Sequence, residues 1–73
     1  MSTPLHTPDF AALKTRARAM TDAELAWNRQ DANEAAKMAD ELDRAGCRIQ
    51  KTGGFYRDEA GVYASEITRR LNR

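Results

Sequence analysis

Cysteine, histidine and proline are scarce in this chain of 73 residues, which holds one, one and two of them. A lone Cys47 excludes an intrachain disulfide and any cysteine-based zinc site, and it suits a reducing compartment. A lone His6 has no second imidazole with which to share a metal, so neither metal nor cofactor is expected. No apolar run approaches the roughly 20 residues of a membrane-spanning helix. The opening MSTPLHTPDF has neither the charged start nor the apolar middle of a signal peptide, so a cytoplasmic protein with no membrane partner is expected. Two Phe, two Tyr and one Trp are few aromatics, and a chain of this length closes one modest core with a thin stability margin.

Charge is plentiful but nearly balanced. The formal net charge of +1 gives no global pull toward nucleic acid. Its distribution is uneven: residues 1–20 carry +2, residues 21–47 carry −4 and residues 48–73 carry +3. An acidic middle segment is flanked by two basic ones.

The periodicity predicts an all-α fold of three helices with a long central helix. Residues 1–7 read as a flexible N-terminal tail, and residues 8–73 as a single helical domain. A helix start is expected at Thr7-Pro8-Asp9, with Thr7 as cap and Pro8 in the first turn. Phe10, Leu13, Ala17 and Met20 then recur at helical spacing. Thr21 and Glu24 have capping-box spacing, with Met20 placed to staple onto Leu25, so a second helix begins near Asp22. It runs to about Ala45, where Gly46 suits a left-handed cap and Cys47 is placed to pack on Leu42.

At 100° per residue this helix carries two apolar stripes. Leu25, Ala32, Ala35, Ala36, Ala39 and Leu42 form one; Ala23, Trp27, Met38 and Ala45 form the other, nearly opposite. The simplest expectation is a neighbour on each side, the first helix on one stripe and the third on the other. Arg48 to Gly54 read as a polar connection ending in Gly-Gly. The third helix follows, with Tyr56, Ala60, Tyr63, Ile67 and Leu71 as its inward line and Gly61 as a weak point.

No constellation for catalysis emerges, and no enzyme is expected. The acids fall mostly at solvent-facing positions of the second helix, with Asp40 and Arg44 spaced as an ion pair. Cys47 follows a helix-ending glycine with no nearby histidine, which reads as a packed, inert thiol. Gly53-Gly54 reads as an interhelical turn, since no Lys-Ser/Thr follows as a phosphate loop requires. The basic C-terminal third, with Phe55 and Tyr56 as stacking groups, leaves DNA or RNA binding as an alternative. Phe55 and Val62 share a face of the third helix and either complete the core or form an exposed patch. The candidate partner-binding residues are Leu5 and Phe10 on the N-terminal side, and Arg48, Lys51, Phe55 and Arg57 around the interhelical connection.

Two blocks, TDAELAWNRQDANEAA at residues 21–36 and GGFYRDEAGVYASEITRRL at residues 53–71, resemble small helical proteins encoded by tailed phages and prophages. Shared features are a Glu-Leu plus aromatic, Asp-Ala and Glu-Ala block, an aromatic-x-Asp-Glu block and a terminal Arg-Arg. The blocks cover about half of the chain. Length, low cysteine and helix pattern also resemble the small host-RNA-polymerase-binding transcription regulators of lytic Xanthomonas phages. That resemblance implies a non-enzymatic protein in the host bacterial cytoplasm. It would dock on the N-terminal region of the polymerase β′ subunit near the RNA exit channel, inhibiting initiation and promoting antitermination. It supplies no contact motif that transfers residue by residue.

Overall fold

A computed structural model describes residues 3–72 and shows an all-α fold. Three helices follow one another: α1, Phe10–Ala19; α2, Asp22–Arg44; and α3, Gly53–Leu71. At about 1.5 Å per residue α2 is some 34 Å long, and it sets the long dimension of a body measuring 44 × 20 × 15 Å.

Local chemistry fixes each boundary. α1 is capped by Asp9, whose carboxylate accepts from the Ala12 N–H at 3.2 Å. Thr7 was the expected cap; Asp9 takes the place two residues later because its side chain reaches that donor, which leaves Pro8 outside the helix. At α2 both halves of the capping box form: the Glu24 N–H donates to Thr21 Oγ1 at 3.1 Å and the Thr21 N–H to Glu24 Oε1 at 2.9 Å. Met20 packs against the core cluster that contains Leu25, as the staple requires.

The end of α2 is a complete Schellman motif. Gly46 adopts φ +80°, the Gly46 N–H donates to Asp43 O at 3.0 Å, and the Cys47 N–H donates to Leu42 O at 2.8 Å. Only the backbone half of that expectation holds. Cys47 is exposed, as is Leu42, so the thiol is not sealed from solvent.

Gly53-Gly54 is not a turn; it is the first turn of α3. Thr52 is the cap, its hydroxyl accepting from the Phe55 N–H at 3.2 Å. The helix can start there because Gly53 is buried against α2, where a Cβ would collide with the Asp40 carboxylate and come within 3.1 Å of the Ala36 carbonyl oxygen. Asp40, expected to pair with Arg44, instead faces α3 and accepts from Arg57 Nη1 at 2.8 Å.

α2 and α3 run antiparallel: the start of α3 meets Ala36 and Asp40, and Arg70 near its end reaches Asp22 at 2.7 Å. α3 packs against both other helices. One line on it, Gly53, Ala60 and Tyr63 with half-buried Tyr56 and Ile67, faces α2. Leu71, expected to extend this line, is exposed. A second line, Phe55, Val62 and Glu66, is buried on another side, where Val62 and Glu66 border α1 at Ala17.

α2 by contrast buries only one face, Leu25, Ala32, Ala36 and Ala39. The expectation that its second stripe is covered fails: Ala23, Trp27, Met38 and Ala45 are all exposed. α1 turns back at Met20 and Thr21 and lies on α3, leaving no helix among the described residues to cover that stripe.

Of the expected tail, residues 1–2 lie outside the described residues. Leu5 forms a parallel bridge with Lys51: its N–H donates to Gln50 O and its carbonyl accepts from the Thr52 N–H, both at 3.0 Å.

Candidate functional site

The bridge gathers four of the six candidate residues at one end of the α2–α3 hairpin. Leu5 is exposed beside Lys51. Arg48 and Lys51 line a recess of about 280 Å³ whose apolar lining includes Met38, Leu42, Ile49 and Tyr56. Lys51 Nζ stands 4.9 Å from the centre of the Phe55 ring and 5.9 Å from that of Tyr56, distances at which an ammonium is attracted to an aromatic face. The two rings meet edge to face with centroids 5.7 Å apart.

Phe55 itself is 7% exposed. Its selection as an exposed contact is therefore corrected: of the two readings for Phe55 and Val62, both side chains complete the core. Val62 is buried because α1 lies on that side of α3, and Phe55 is buried where Lys51 and the Tyr56 ring lie against it. Phe55 instead supports Lys51 from beneath.

The other two candidates lie elsewhere. Phe10 and Arg57 line an open groove of about 500 Å³ between α1 and α3, together with Lys14, Arg18, Gly61 and Val62. Phe10 is partly exposed there, and Arg57 is held by Asp40.

Three arginines of the basic C-terminal third are engaged within the chain. Glu66, 6% exposed, accepts from Arg69 through both carboxylate oxygens and from Arg70 Nε at 3.5 Å. The Arg69 hydrogen bonds, with the positive charges of Arg69 and Arg70, outweigh burial and pull the Glu66 carboxyl down to about 2. Arg70 reaches further, donating to the carbonyls of Ala17 and Arg18 at 3.3 Å and of Met20 at 2.7 Å. It thereby supplies donors to carbonyls at the α1 C-terminus, where a cation also complements the helix dipole, and joins all three helices. Arg57 pairs with Asp40. Arg48 and Lys51 form no ion pair among the described residues, so they are the cations at the recess with charge to offer outward.

Sequence reasoning missed Trp27 and Met38 as surface residues. They are 67% and 57% exposed, yet their helical spacing assigned them to a covered stripe. The missing signal was how many helices were left to cover it, which depends on where α1 lies.

Among the described residues no three His, Cys, Asp or Glu side chains gather as a metal-holding group, and no helix is long and apolar enough to cross a membrane. In comparisons with known proteins the chain matches no family model, no curated protein and no solved structure.

Proposed function

We propose that this chain is a non-enzymatic docking protein whose hairpin end engages a larger protein. The observation that carries this reading is the recess at that end, where exposed Met38 and Leu42 and the linker residue Ile49 lie beside two outward cations, Arg48 and Lys51. Apolar contacts ringed by charge suit a protein target: burial supplies affinity, and the rim sets orientation and encounter rate. The target is host RNA polymerase, at the N-terminal region of β′ near the RNA exit channel, in the cytoplasm of the host bacterium. There the protein inhibits initiation and promotes antitermination. That target, and phage origin, rest on the resemblance of the two sequence blocks.

The nucleic-acid alternative draws less from the structure. Arg57, Arg69 and Arg70 are tied to carboxylates, and Phe55 is buried and cannot stack on a base.

Binding to purified polymerase core enzyme tests the reading. A saturable complex weakened about tenfold or more by Arg48→Glu with Lys51→Glu, at unchanged helicity, is expected. Absence of a complex discards the target. Binding to oligonucleotides that falls steeply with salt would move the chain to the alternative.

A further inference from the structure

The outward face of α2 shares Met38 and Leu42 with the recess at the hairpin end and continues from there along the helix with a different charge. Taking Trp27 as the centre, an arc of about 60° to either side contains Ala23, Glu24, Gln30, Asp31, Glu34, Met38, Glu41, Leu42 and Ala45, all of them exposed. The arc holds four acids and no base. None of those carboxylates belongs to an ion pair among the described residues. Trp27 borders a small notch with Gln30, Asp31 and Glu34, and Met38 lies about 16 Å further along the axis, three helical turns away.

We propose that this face docks a basic amphipathic helix of a partner protein. Trp27 and Met38 take its apolar anchors, and Asp31, Glu34 and Glu41 pair with its arginines or lysines. Charge decides the occupant. A second copy laid on the same face would bring carboxylates against carboxylates, which opposes self-pairing, and a nucleic acid would meet the same repulsion. A basic helix meets complementary charge along α2, and Arg48 and Lys51 beside Met38 and Leu42 mark the end of the acidic stretch. Its arginine can stack on the Trp27 ring between two carboxylates, a geometry that combines cation–π attraction with ion pairing. The two anchors, three turns apart with charge between, define a segment of at least three turns, recognised as a helix on a helix. Large exposed Trp side chains are also the type that carries binding energy at interfaces.

This inference rests on the reading of the chain as a docking protein and names the chemistry of what docks. It is tested on the intact chain with a synthetic amphipathic peptide of leucine and arginine about five turns long. Trp27 is the only tryptophan, so its emission reports occupancy of the face directly, and a labelled peptide reports binding to variants. The expected result is saturable one-to-one binding with a blue shift of Trp27. Binding should weaken about tenfold in Trp27→Ala and in Asp31→Lys with Glu34→Lys, at unchanged helicity, and stay unchanged in Lys14→Glu with Arg18→Glu on α1. Equal binding of a leucine and glutamate peptide, no binding up to about 1 mM, loss of binding only in the α1 variant, or sedimentation of the free protein as a dimer through this face overturns it. Polymerase binding that depends on Arg48 and Lys51, with no binding of the peptide, removes this face and leaves the hairpin-end reading standing. Peptide binding without polymerase binding does the reverse.

Discussion

α2 and α3 each carry apolar residues on two faces, but α3 buries both faces while α2 buries one. On α3 the Ala60–Tyr63 line meets α2 and the Val62–Glu66 line meets α1. On α2 the Leu25–Ala39 line is sealed, whereas Trp27 and Met38 stand in solvent. Periodicity records that a face is apolar; it does not record what covers it. Burial was decided by the turn at Met20 and Thr21, which directs α1 onto α3, and by Arg70, which fixes α1 there through the carbonyls of Ala17, Arg18 and Met20.

The sharpest way to test the difference between the two faces is to truncate one residue on each. Leu25 is wholly buried, so Leu25→Ala should cost about 3 kcal/mol. For a domain this small that is a large share of its stability, and urea denaturation should show a mostly unfolded population or a much reduced midpoint.

Close approach at the α2–α3 contact is tested by Gly53→Ala. The added methyl must displace the Asp40 carboxylate and press on the Ala36 carbonyl, at a cost of about 1–2 kcal/mol after the gain in helix propensity is counted. A midpoint at or above that of the parent would show that the helices do not meet there.

The α1–α3 side answers to pH. The Glu66 carboxyl titrates at about 2 in the folded protein, against an ordinary value of 4.5. Its contribution to stability is therefore complete above about pH 4.5 and is lost as the pH falls toward 2, because the unfolded chain binds the proton first. Thermal unfolding should show this acid slope, and Glu66→Gln should flatten it.

Gly61 lies in α3 with nothing within 4 Å of an added Cβ, so Gly61→Ala should raise stability by up to about 1 kcal/mol through helix propensity alone. Last and smallest, Trp27→Ala on the open face of α2 should leave the unfolding midpoint nearly unchanged, within about 0.5 kcal/mol. A large loss there would mean that Trp27 is packed and that the two faces of α2 do not differ.

The three helices, the capping box at Thr21, the Gly46 cap and the Leu25–Ala39 line were legible in the sequence because each depends on residues within one or two turns of each other. The start of α3 was misread because Gly-Gly is a turn signal in isolation. Only the neighbouring Asp40 and Ala36, distant in sequence, make Gly53 an element of close packing. The same holds for the site. Arg48 and Lys51 were selected from local charge and do line the recess, whereas the burial of Phe55, the pairing of Arg57 with Asp40 and the exposure of Trp27 follow from how helices far apart in the chain are placed.

α2 has one sealed and one open face, and the emission of Trp27, the sole tryptophan, tests this most directly. For the free native protein it should resemble that of the urea-unfolded chain in wavelength and in acrylamide quenching, independent of protein concentration. A blue-shifted native emission protected from acrylamide would show that this face is already covered and would contradict the account.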